Sequence, residues 1–305
     1  MTKRAPVDLA KSVSARLVRI AHDRDDQAQD ILIAYCFERL LYRVSLSAHA
    51  DRFILKGARL FSVWLDAPYR ATHDLDLLGS GDGSIEEMAR VFRDICTVSA
   101  ADDAVRFDPD SVAAVPIREE DIYGGVRVKL MARIGSSRAT LQIDIGLGDA
   151  VVPPPERAAY PVLLPFPAPM VRMYPAEAMI AEKLQAMVVL DMANSRMKDF
   201  FDIWALATNR DFEGARLYAA IKATFERRGI ALPDDPPVGL TSVFVDDAQK
   251  KTQWNAFLRK TRPRLQPPDL AQVVDILREF LMPPIHAARL DTSFENQWPA
   301  GGPWG

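Results

Sequence analysis

The sequence predicts an α+β fold: an N-terminal sheet flanked by helices, followed by a mostly helical C-terminal domain. Three observations point there. Apolar residues recur at helical spacing through the first fifty residues. They then alternate strictly on both sides of the Gly135-Ser136-Ser137 turn, the pattern of a β-hairpin. Finally, a proline-rich stretch at 151–175 gives way to a series of helical patterns.

Taken in order, Leu9, Val13, Leu17 and Ile20, and then Ile31, Ile33, Ala34, Phe37, Leu40 and Leu41, fall at helical spacing. RFILKGARLFSVWL (52–65) reads as a short apolar strand, a turn at Lys56-Gly57, and a helix. DLDLL (74–78) is a strand and GSGDGS (79–84) a flexible turn. IEEMARVFRDICTV (85–98) is an amphipathic helix whose stripe is Ile85, Met88, Val91, Phe92 and Ile95. The period changes from Val112 onward, and 123–149 is the hairpin. The prolines of 151–175 exclude a helix and permit an edge strand. This stretch is read as the seam between two domains, 1–170 and 171–305. Helices are expected over 175–190, 195–208, 212–229, 246–260 and 267–281. The tail DTSFENQWPAGGPWG (291–305) is expected to be poorly ordered unless its tryptophans pack down.

Bulk properties narrow the function classes. With 305 residues, 49% of them hydrophobic, the chain can bury a sizeable core. Its net charge is −3, and its 38 Lys and Arg are scattered, so a basic nucleic-acid tail is absent, although RNA binding through a local basic groove is not thereby excluded. Two cysteines, Cys36 and Cys96, form neither a CxxC nor a Cys/His cluster, which speaks against zinc and disulfides and for a reducing cytoplasm. No apolar run reaches membrane-spanning length. A soluble cytoplasmic protein without a membrane partner is expected.

The stretch RATHDLDLL (70–78) carries the chemistry. In a strand, Asp74 and Asp76 share one face while Leu75 and Leu77 point into a core. Two such carboxylates repel unless a cation sits between them. Either they are an exposed edge that discourages aggregation, or they hold a divalent metal, hard oxygen donors suiting Mg²⁺. Asp144, flanked by Ile143 and Ile145, adds a third acid on a second strand. Upstream, Lys56-Gly57-Ala58 would offer backbone N–H groups and a helix N-terminus to phosphate; alternatively it is an ordinary turn. Lys183 is a cation on a largely apolar helix face, either snorkelling to water or aimed across a cleft at a triphosphate. Asp199 and Asp202 share a helix face, with Arg196 and Lys198 placed for local ion pairs. Yet that helix is apolar nearly all round, which favours a cleft or a paired interior site.

In this order, FILKGARLF, RATHDLDLL, LQIDIGLGD, AEKLQAM and RMKDFFDIWAL resemble the AbiEii/AbiGii-type toxin nucleotidyltransferases, including the MenA-like toxins, within the polymerase-beta-like superfamily. The resemblance runs from about Phe53 to Leu206. It implies a nucleotidyltransferase-type mixed sheet and a C-terminal domain that contributes Lys183 and Asp199 to the cleft. It also implies Mg²⁺-dependent transfer from an NTP to an acceptor hydroxyl, in a toxin–antitoxin or phage-defence setting. The implied acceptor is a tRNA 3′ end, and the implied partner is an antitoxin, often a winged-helix protein. Asp74 and Asp76 match the metal-binding pair, and Asp144 stands where a third acid completes the triad. Lys183 matches the lysine expected to meet phosphates, and Asp199 and Asp202 match two acids treated as essential. Arg70 and Thr72 match the Arg and Ser/Thr that precede the acidic pair, and Lys56 and Gly57 fall in the nucleotide-binding turn. Gly57-Ala58-Arg59 departs from the family's pattern of two glycines and a small hydroxyl residue. A same-superfamily enzyme with a small-molecule or protein acceptor, and a nucleotide-binding partner protein without turnover, stand as alternatives.

Overall fold

The computed structural model describes residues 8–65, 72–117, 125–148 and 151–305; Arg70 lies outside them. The chain divides into two compact units. Unit 1 is Met1–Val63, Thr72–Asp149 and Glu156–Met173, and unit 2 is Trp64–Ala71, Ala150–Pro155 and Tyr174–Gly305.

Unit 1 begins with helices α1 (Leu9–Arg24) and α2 (Ala28–Leu46). Asp8 starts α1, its carboxylate accepting from the Lys11 amide and so satisfying one of the unpaired N–H groups of the first turn. Strand β1 (Phe53–Lys56) leads through a 3₁₀ turn into the four-residue α3 (Phe61–Trp64). The helix expected after Lys56-Gly57 is therefore little more than one turn, too short to develop a useful dipole at Gly57. Next come β2 (Asp74–Gly79) and α4 (Ile85–Cys96), the latter capped by Ser84. Then follow β3 (Arg106–Ile117), β4 (Gly125–Ile134), β5 (Ser137–Leu147), β6 (Glu156–Ala159) and β7 (Met170–Met173).

These seven strands form one sheet in the order β3-β4-β5-β2-β1-β7-β6. It is mixed: β2 runs parallel to β5 and β1 to β7, while the other neighbours are antiparallel. The proline-rich stretch supplies β7 and the edge strand β6, where a missing N–H costs least. Strand β3 starts well before Val112. A register shift between Asp108 and Ala113 breaks its alternation, which hides it from a search for period two. Leu75, Leu77, Val128, Ile143 and Ile145 are buried on one face of the sheet. Phe53, on that same face, meets Phe92 of α4 with ring centroids 5.6 Å apart.

Unit 2 contains α5 (Ala176–Leu190), α6 (Met197–Asn209), β8 (Phe212–Glu213), α7 (Gly214–Arg227), α8 (Ser242–Asp246), α9 (Ala248–Thr261), α10 (Leu270–Leu290) and β9 (Gln297–Trp298). Helix α10 runs on through Pro283 and Pro284, well past the expected end at 281. The tail is ordered because its tryptophans pack down, the second of the two outcomes its sequence left open. Trp298 is 1% exposed, its indole N–H donates to the Ala207 carbonyl at 2.7 Å, and β9 pairs with β8. Trp304 stacks on Phe280 and donates to its carbonyl at 3.0 Å. Burying one indole and half-burying another, with both N–H groups satisfied, outweighs the entropy of ordering a glycine-rich tail. Among the described residues, no helix is long and apolar enough to cross a membrane.

Candidate active site

Alternation along β2 does what the sequence requires of it: Leu75 and Leu77 are buried, and Asp74 and Asp76 stand half-buried on the opposite face. Strand β5 lies parallel to β2 with Asp144 directly beside Asp76 and Gln142 beside Asp74. One carboxylate oxygen from each of Asp74, Asp76 and Asp144 lies within 4.8 Å of the others. Like charges directly opposite each other on neighbouring strands are destabilising. Positive charge flanks them on both sides, because Lys56 is the register partner of Asp76 on β1 and Arg127 that of Asp144 on β4. Lys56, Asp76, Asp144 and Arg127 thus make one row across four strands, a base at each end and two acids in the middle.

The fine geometry shows what holds each acid. Arg127 grips Asp144 with a two-pronged fork, Nε donating to Oδ1 at 2.8 Å and Nη2 to Oδ2 at 2.7 Å. Thr72, a candidate substrate contact, donates its hydroxyl to Asp74 Oδ1 at 2.6 Å. Gly57 has φ 75°, and a Cβ added there would stand 2.0 Å from Asp76 Oδ2. The glycine is required because the Asp76 carboxylate occupies the place of a side chain. Arg59, where a small hydroxyl residue was looked for, is buried. Its guanidinium donates to the Asp74 and Thr72 carbonyls at 2.9 and 3.0 Å and lies over the Phe37 ring at 4.0 Å. It fastens the entry to β2 from behind.

These donors fit a hard divalent cation. Three carboxylates on a parallel strand pair supply oxygen ligands of the kind Mg²⁺ takes. The thiols offer nothing comparable: Cys36 and Cys96 are free and buried, and burial pushes each pKa up to about 12.

Lys183, Asp199 and Asp202 come together in unit 2. The Lys183 ammonium does not snorkel into water; it sits 2.5 Å from Asp199 and 2.8 Å from Asp202. Both acids are buried. Burial pulls the lysine's pKa down, but the two carboxylates more than offset this and hold it above the ordinary lysine range. Arg196 Nε stands 2.7 Å from the other oxygen of Asp199, an ion pair of the local kind its spacing allowed. Asp202 instead turns inward to Lys183, while Lys198 is exposed.

Sequence reasoning missed Arg127 and Arg59. Arg127 was visible only as one of several bases in an alternating strand; hairpin register, which sets it opposite Asp144, was the signal that could have found it. Arg59 looked like a departure from a motif, and nothing in the linear pattern marks it as a clamp.

Residues 39–276 match the family profile described as nucleotidyl transferase AbiEii toxin, type IV TA system. No curated protein matches the chain. Among solved structures, JHP933 from Helicobacter pylori is similar at 14% identity and a TM-score of 0.46, covering 87% of this chain and 94% of its own. A candidate nucleotidyltransferase from H. pylori is similar at 14% identity and a TM-score of 0.47, covering 87% of this chain and 96% of its own.

Proposed function

Because the chain belongs to the AbiEii nucleotidyl transferase toxin family, we propose that it transfers a nucleotide from an NTP to the 3′ hydroxyl of a tRNA in the cytoplasm, with Mg²⁺ held by Asp74, Asp76 and Asp144. The observation that carries this reading is the convergence of those three carboxylates within 4.8 Å between two flanking bases. Family membership also implies a cognate antitoxin; by resemblance it is of the winged-helix type.

A divalent ion bound to these acids would supply Lewis-acid stabilisation of charge on the phosphates. The protein's own groups do the rest. Thr72 and the strand frame aim Asp74 and Asp76, and Gly57 leaves the space that Asp76 needs. Lys56 adds positive charge beside the site, and Lys183, fixed by Asp199 and Asp202, is assigned to the phosphates by resemblance. The acceptor oxygen bonds to the α-phosphorus, the α–β phosphoanhydride bond breaks, and pyrophosphate leaves. The hydroxyl proton passes to Asp144, whose plane is set by the Arg127 fork. Positioning and preorganised charge supply most of the rate, as in phosphoryl transfer generally.

The test is to incubate the protein, Mg²⁺ and total tRNA with each labelled NTP in turn, beside Asp74→Ala. Label on tRNA from one NTP, absent with Asp74→Ala, is the expected outcome. NTP binding without labelled tRNA would move the acceptor to another class of hydroxyl, and label that persists in Asp74→Ala would overturn the assignment of the acids.

A further inference from the structure

Although the chain is acidic overall, the stretch RKTRPR (259–264) places four bases in six residues where α9 ends. We propose that this corner of unit 2, Arg259, Lys260, Arg262 and Arg264, is a docking surface for the phosphate backbone of RNA. The inference deepens the reading above, since it presumes a nucleic-acid acceptor.

Three features set these bases apart. All four are exposed. Several exposed bases elsewhere pair with an acid a turn away, as Arg90 does with Glu87 and Asp94, and Arg278 with Asp275. Among the described residues, the side chains of Arg259, Lys260 and Arg262 pair with no acid, so these three like charges stand together without neutralisation. The helix end itself rewards cations in its last turn, but Arg262 and Arg264 lie beyond that turn. Arg262 also takes the left-handed conformation, φ 42° and ψ 58°. The left-handed caps of α1 and α10 are Asp25 and Asp291, a residue type that tolerates this region. At α9 the position is given to an arginine at a cost in stability, and charge is what it gains.

The neighbouring surface favours RNA over an acidic protein. A cavity of about 580 Å³ borders the same helix, lined in part by Trp254, Leu258, Pro267 and Pro268, with Asp246 and Asp269 among its polar groups. Apolar walls suit an unstacked base, and carboxylates accept hydrogen bonds from exocyclic base amines.

Fluorescence anisotropy with labelled tRNA between 50 and 200 mM salt tests this, comparing the parent with the triple variant Arg259→Gln/Lys260→Gln/Arg262→Gln and with Arg259→Lys/Arg262→Lys. Circular dichroism confirms that the variants fold. The neutralised variant is expected to bind about tenfold or more weakly, with a log–log salt slope shallower by about 2, and the lysine variant to stay near the parent. In the transfer assay, KM for tRNA should rise while KM for NTP stays unchanged. Equal affinity and slope in parent and neutralised variant would overturn the docking surface while leaving tRNA transfer standing. Intact RNA binding combined with loss of antitoxin co-purification would overturn it in favour of a protein interface. A parent that binds no RNA would overturn it as well, and labelling of small hydroxyl acceptors would then report separately on the transferase.

Discussion

Gly57 and Arg127 show how tightly the acidic face is specified, residue by residue. A methyl group at position 57 would collide with the Asp76 carboxylate and force a positive φ on a residue that resists it. Gly57→Ala should therefore cost roughly 1–2 kcal/mol of stability and about 100-fold in transfer, because a carboxylate moved by an ångström no longer aims at its target. Thermal melts and the labelled-NTP assay check the two parts separately. Arg127 holds both carboxylate oxygens of Asp144. Arg127→Met should lower kcat and Mn²⁺ affinity by about 10–100-fold, the usual effect of removing a group that orients a ligand. Mn²⁺ titration followed by electron paramagnetic resonance reads the affinity without relying on turnover, and an unchanged affinity with unchanged kcat would show the fork to be ornamental.

At the scale of elements, α5 and α6 are joined by charge in a region otherwise apolar. Lys183→Met would leave Asp199 and Asp202 buried beside each other without their shared ammonium, and should destabilise unit 2 by about 3–5 kcal/mol. Urea denaturation measures this; a loss below 1 kcal/mol would mean that water or another cation replaces the lysine. The same elements show how much could be read from sequence. Strands β2, β4 and β5 announced themselves by alternation, and Asp74, Asp76 and Asp144 stood out because acids are rare in such runs. Strand β3 did not, because its register shift scrambles the period. The partner of Lys183 was not legible either: helical spacing pairs Asp202 with Lys198, and only tertiary packing decides that Lys183, on another helix, is nearer. For the tail the sequence left two outcomes open, and the indoles decide between them by packing down.

For the molecule as a whole, acidity acts through Glu38. Its side chain, buried on α2, accepts from the Leu163 amide at 2.6 Å and pairs with Arg39 at 2.8 Å. Burial pushes its pKa up to about 7 from 4.5, against the pull of that amide and of Arg39. The folded protein then holds this proton after the unfolded chain has lost it, so the Glu38 contribution is fully present below pH 4.5 and is lost as pH rises to about 7. The loss amounts to about 3 kcal/mol. Denaturation at pH 5 and pH 7.5 should show parent stability falling across this window, with the fall flattened in Glu38→Gln; equal slopes would assign it elsewhere. The row across the sheet behaves differently. Lys56 and Arg127 are set against Asp76 and Asp144, while Asp74 is held by the Thr72 hydroxyl, so the acidic face is expected to fold without a ligand. A chelator should abolish transfer yet leave the melting temperature within about 1 °C. A cell could therefore keep a finished but idle stock of this enzyme, its release decided by what reaches the site and not by a new round of synthesis.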